Sequence, residues 1–152
     1  MKQKEKSKSH PLVVIFFVAY MVLLFYLLFF SESYGRTTDS GYRYNLEFFK
    51  EIKRFWYNRD TLGWSSVVNL LGNIIAFAPF GFFLPMLCRI GRNVFGCVIV
   101  SAAFSLSVEI IQLLTKVGAF DVDDILLNAL GGLIGYLGFY LVWKPIVKSI
   151  EK

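Results

Sequence analysis

The chain has a single histidine, His10, set in a basic tail. Histidine-based general acid–base catalysis and a His-rich metal site are therefore excluded. No Ser/His/Asp set, P-loop or GxGxxG is present, which removes the common hydrolase and nucleotide-binding signatures. Cysteine is nearly as scarce. Cys88 and Cys97 lack the spacing of a metal site and read as free thiols near helix ends. Charged residues make up only 18% of the chain and lie mostly between apolar blocks, so no charged surface for nucleic acid is expected. No internal repeat of roughly 20–50 residues marks a solenoid or array.

What remains is apolar. Of 152 residues, 56% are hydrophobic, above the range of an ordinary soluble domain. A membrane span needs about 20 apolar residues, each rising about 1.5 Å. Four stretches meet that need: 12–30, 66–87, Val94–Thr115 and 124–143. The fold class expected is an all-α membrane protein, a four-transmembrane-helix bundle. The basic residues Lys2, Lys4, Lys6 and Lys8 ahead of the first stretch also suit a signal peptide. However, its apolar run is long and no small-residue cleavage site follows, so an uncleaved span is expected. Basic residues in the short segments place both termini on the cytoplasmic side. That makes 1–11 and 144–152 cytoplasmic tails and 31–65 an extracellular loop.

Within that loop, Phe48, Phe49, Ile52, Phe55 and Trp56 recur at helical spacing over 45–57. Lys50, Glu51, Lys53 and Arg54 take the opposite face. This pattern predicts a short amphipathic interfacial helix, serving as an anchor or as a lid. The other two connections, 89–93 and 116–123, are short and force antiparallel neighbours.

The apolar stretches carry polar residues at helical steps. Ser66, Asn69, Asn73 and Ala76 share a face of the second span. Ser101, Ser105, Glu109 and Gln112 share one in the third. Asp121, Asp124, Asn128, Gly131, Gly135 and Gly138 share one in the fourth. Hairpin parity puts the amides and acids within roughly 12 Å of one membrane boundary. Such faces pack helices together, with amide hydrogen bonds worth about 0.6–2 kcal/mol each. They also mark functional sites, because polar groups in lipid are costly. Asp121 or Asp123 can cap the fourth helix. Glu109 stands apart, two turns inside its span, with no basic residue at that depth in another span. A carboxyl group there is protonated, hydrogen-bonded to amides or bound to a cation. The chemistry available is that of carboxylates: Glu109 with Asp121 and Asp124, alone or around a divalent cation. Glu109 is the catalytic candidate. Asn69, Asn73, Gln112, Asp121, Asp124 and Asn128 are the binding candidates. Pro79 and Pro85 are expected to kink the second span and free backbone carbonyls.

These same positions resemble the motifs of the VanZ-like membrane proteins. Asn69-Leu-Leu-Gly-Asn73 followed by Phe77-Ala-Pro-Phe-Gly81 is similar to the first motif. Glu109-Ile-Ile-Gln112 is similar to the E-x-x-Q motif. Phe120-Asp-Val-Asp-Asp124 with Asn128-Ala-Leu-Gly-Gly132 is similar to the last. The likeness covers about 65–143; the first span and loop agree only in kind. It implies a bacterial cell-membrane protein, in a family whose founding member confers resistance to the glycopeptide teicoplanin. The residues and the resemblance together lead to two expectations. One is an outer-leaflet polar pocket that binds an amphiphilic or lipid-linked molecule, such as an envelope precursor or a lipoglycopeptide. The other is a small membrane enzyme that uses carboxylates on a lipid-linked envelope substrate. The expected partners are the bilayer and that molecule, with oligomers allowed.

Overall fold

The structure, a computed structural model, describes residues 11–30, 41–58 and 64–145. Five α-helices dominate it: α1 (Pro11–Phe30), α2 (Lys50–Asn58), α3 (Trp64–Leu87), α4 (Val94–Thr115) and α5 (Val122–Gly138). A π-helical turn, Phe139–Trp143, extends α5. Four helical segments are long and apolar enough to cross a membrane: Pro11–Phe30, Leu70–Leu87, Val94–Thr115 and Val122–Trp143. The protein is a four-span helical membrane bundle. The ends of α4 and α5 nearest the first loop form its loop end. The ends joined by the 3₁₀ turn Ile90–Arg92 form its turn end.

The distribution of residue types is inverted relative to a soluble bundle. On α4 the buried face is Cys97, Ser101, Ser105, Val108, Glu109 and Gln112. The exposed face carries Phe95, Ile99, Leu106, Ile110, Ile111 and Leu114. Lipid solvates apolar side chains as well as a protein core does, so the interior is left to small and polar residues.

Glycine brings α3 and α5 into the closest approach in the bundle. A Cβ on Gly131 would overlap the carbonyl of Ile74, and one on Gly135 the carbonyl of Ala78. A Cβ on Gly81 would overlap the backbone of Gly132. α4 packs against α5. α1 lies outside, against α3, and buries only Leu24 and Leu28 fully. An aromatic layer fills the α1–α3–α4 junction, where Phe80 and Phe104 stack with ring centroids 4.8 Å apart and Phe17 meets Phe80 at 6.1 Å.

α3 is a single helix through Pro79 and Pro85. Pro85 has no N–H for the carbonyl of Gly81, four residues earlier. The Cys97 thiol donates to that carbonyl instead, at 3.7 Å. In the turn ahead of Pro79, the Tyr20 hydroxyl donates to the carbonyl of Ala76 at 2.7 Å. Among the described residues, this is the one polar tie from the middle of α1.

Helix ends are set by local chemistry. Asn93 caps α4, accepting from the Phe95 N–H at 2.8 Å and the Gly96 N–H at 3.4 Å. Lys116 ends α4 in a left-handed conformation (φ 58°), which aims its N–H back at the carbonyls of Gln112 and Leu113. At the turn end, Tyr136 and Tyr140 both donate to the Arg92 carbonyl, at 3.2 and 2.8 Å.

The amphipathic segment read at 45–57 is helical over Lys50–Asn58. Its first residues have another use. Tyr44–Asn45 (β1) pairs in parallel with Phe120–Asp121 (β2), with Tyr44 opposite Phe120 and Asn45 opposite Asp121. The Phe120 N–H donates to the Arg43 carbonyl at 3.0 Å. Residues 42–49 thus form a strap over the α4–α5 corner, and α2 follows it.

Candidate functional site

The strap, α3, α4 and the start of α5 meet at the loop end. Asp121 is the hub. Its own N–H donates to Glu109 Oε2 at 2.9 Å. Its Oδ1 accepts the Asp123 N–H at 2.8 Å and so caps α5. The same oxygen accepts Asn45 Nδ2 of the strap at 3.0 Å. One residue therefore joins the strap, the acid of α4 and the first turn of α5.

Two further ties complete this layer. Asn73 Nδ2 on α3 donates to Asp124 Oδ1 on α5 at 2.5 Å. The Phe49 N–H of the strap donates to Asp123 Oδ1 at 2.5 Å. Phe49 has a positive φ of 63°, uncommon for a bulky residue. The cost is of order 1–3 kcal/mol, and surrounding contacts must hold such a residue in place. Here its N–H meets a carboxylate and its carbonyl accepts the Lys53 N–H, which starts α2. Lys116 lies over the Tyr42 ring, 4.9 Å from its centroid, and holds the other end of the strap.

Glu109 is only 3% exposed. Asp124 and Asp121 both act on it electrostatically. Acids gathered in an apolar surround hold a proton or a cation between them. Among the described residues, no group of three or more His, Cys, Asp or Glu side chains is arranged to hold a metal ion.

The structure sorts the candidate residues by depth and partner. Asn73, Glu109, Asp121 and Asp124 lie together in one layer. Gln112 turns away from it. Its Nε2 donates to the Leu28 carbonyl at 3.0 Å, in the last turn of α1, where helical carbonyls have no intrahelical partner. Asn128 lies one turn deeper, donating to Ser105 Oγ at 2.8 Å. Asn69 is on α3, one turn before Asn73, and its side chain lies outside the described residues.

One contributor escapes the sequence reading and another has a role other than the one expected. Asn45 belongs to a loop, and its partner Asp121 is 76 positions away, so no local pattern points to it. Asp123 is not the cap of α5. It is wholly buried and anchors the strap, while Asp121 is the cap. Three acids in four positions carried a signal, but not the order of their roles.

A family model described as VanZ/LLP1 matches residues 17–143. No curated protein and no solved structure matches the chain. The matched region starts inside α1, earlier than the 65–143 covered by the motif likeness. Its extent agrees with the geometry, since the strap and the end of α1 both bond to the motif residues.

Proposed function

The chain belongs to the VanZ/LLP1 family, and we propose that its loop-end polar layer binds the head group of an amphiphilic or lipid-linked molecule of the bacterial cell envelope. The observation that carries this reading is the hydrogen-bonded layer of Glu109, Asp121, Asp124 and Asn73 at one membrane boundary. Above it lies a strap whose outward residues are large and largely aromatic. Tyr42, Tyr44, Leu46, Phe48 and Phe49 are all exposed, as are Trp56 and Tyr57 of α2. Aromatic residues of this kind sit at the head-group level of a bilayer. A polar recess beneath an aromatic rim suits a molecule with a polar head and an apolar tail. With both termini cytoplasmic, the recess opens to the outer leaflet, where lipoglycopeptides of the teicoplanin type and lipid-linked precursors reside. Binding there lowers the access of such an antibiotic to the envelope.

The second reading makes the layer catalytic. It is favoured by one observation: Glu109 accepts a peptide N–H while two other acids act on it. Glu109 would serve as acid or base on a lipid-linked head group. Asp121 and Asp124 would position it.

Glu109→Gln separates the two readings. The amide oxygen can still accept the Asp121 N–H, so the shape is kept while proton transfer is lost. A deletion strain complemented with wild type, Glu109→Gln or Phe55→Ala/Trp56→Ala is tested against a panel of envelope-targeting antibiotics. The binding reading expects Glu109→Gln to complement and the aromatic double variant to fail. Loss of complementation in Glu109→Gln alone, at normal expression, supports catalysis. A null phenotype of the deletion across the panel overturns the envelope role. Impermeant-thiol labelling of Phe120→Cys from the cytoplasmic side would overturn the outer-leaflet placement.

A further inference from the structure

Below the acid layer, α4 continues inward as a buried polar face. Glu109, Ser105, Ser101 and Cys97 follow at steps of four, each 3% exposed or less. Opposite them on α5 stand Asn128 and Gly132. Ser105 accepts from Asn128, and Ser101 faces Gly132 so closely that a Cβ there would overlap its hydroxyl. Serines on their own are ordinary packing residues in membrane helices.

Asn128 is not explained by packing. It is 2% exposed, and one end of its amide is used by Ser105. Among the described residues, its Oδ1 is buried without a hydrogen-bond partner. Whichever way the amide is turned, one of its two polar atoms meets Ser105 and the other is left over. One turn further in, Ser101 Oγ is wholly buried and meets no nitrogen or oxygen partner among the described residues. The Cys97 sulfur beside it, whose own proton goes to the Gly81 carbonyl, is only a weak acceptor for the hydroxyl. A buried polar atom left unpaired costs about 1–3 kcal/mol. Two of them a turn apart in one seam, with no lipid contact, call for a small polar occupant.

We infer that the α4–α5 seam beneath Glu109 binds water. Asn128 and Ser101 supply the sites, Ser105 bridges them, and the waters join the buried acid to the middle of the bundle. The bound species is water because the unpaired groups are neutral, the Asn128 amide oxygen accepts, the Ser101 hydroxyl does either, and water can answer both. Buried water of this kind makes two to four hydrogen bonds to polar groups that are otherwise unsatisfied. The seam starts one turn inward of Glu109 and is separate from whatever ligand enters from the loop end.

Proton-detected solid-state NMR of the full chain in lipid bilayers tests this directly. Magnetisation transfer from water to the Asn128 side-chain amide is expected to build up several-fold faster than transfer to the backbone amide of Leu106. Leu106 lies beside Ser105 in the sequence but faces lipid. Equal build-up at the two positions would mean a dry seam and would overturn the inference. A second measurement compares Ser101→Ala with its parent in a Cys97→Ala background. Loss of a water-bonded hydroxyl lowers Tm by roughly 2–4 °C, whereas removing an unpaired one in a dry seam leaves it unchanged or raises it. Neither measurement involves Glu109, the strap or an antibiotic, so this inference and the pocket reading fail separately.

Discussion

The middle of the α3–α5 interface and the loop-end layer are held together by opposite means. In the middle, Gly81, Gly131, Gly132 and Gly135 remove side chains so that backbones can touch. At the loop end, the Asn45 and Asn73 side chains reach across to Asp121 and Asp124, and the Phe49 N–H meets Asp123. The first region is specified by shape and admits no added atom. The second is specified by donor and acceptor, and a substitution that keeps the hydrogen bond is tolerated. Spacing and rigidity thus come from the glycine region, while adjustable chemistry sits on top of it.

The sharpest way to break this comparison is to add a methyl group to the glycine region. Gly135→Ala would force a Cβ into the Ala78 carbonyl, and overpacking of this kind costs up to roughly 3 kcal/mol. The expected outcome is failure to recover folded protein, read as lost monodisperse material after extraction. A Gly135→Ala variant with wild-type Tm would show that the interface is not set by shape.

Glu109→Leu comes next. It leaves the Asp121 N–H without its carboxylate, a loss of about 1–3 kcal/mol, while Glu109→Gln keeps an acceptor and stays within about 1 kcal/mol of wild type. Thermal unfolding of the pair measures the gap. Equal losses would mean that charge rather than hydrogen bonding holds this corner.

Asn73→Leu removes the donor to Asp124 and is expected to cost about 0.6–2 kcal/mol, the span of measured interhelical bonds in membranes. Asn73→Asp is expected to do worse, because it sets a fourth acid against Asp124. The smallest global effect is that of Asn45→Ala, about 1 kcal/mol or less, since the strap is largely exposed. Its effect is local. Hydrogen exchange at the Phe120 N–H, paired with Arg43, should quicken while exchange in the middle of α5 does not change. A uniform rise in exchange would join the strap to the global fold.

The spans and their polar stripes were legible because both obey one period. A run of about 20 apolar residues identifies the helix, and a step of three or four picks out its buried face. That is why Asn73, Glu109 and Asp124 could be placed at one depth before any contact was seen. The strap was not legible. Its contacts are two-residue pairings and backbone donors, which leave no periodic mark. The left-handed Phe49 goes against the preference of its own side chain. Gln112 was read toward the pocket because its stripe points there, yet its partner is a backbone carbonyl. Any residue of α1 could have supplied that acceptor, so sequence could not name it.

That bond has a bearing on how the chain is made. The Leu28 carbonyl lies at the end of α1, which leaves the ribosome before α4, and its partner is 84 residues later. Until α4 has entered the bilayer, that carbonyl has no amide to meet. Tyr20, likewise, waits for Ala76. α1 is thus made well before its polar partners on α3 and α4, and its insertion and its docking are separate events in time.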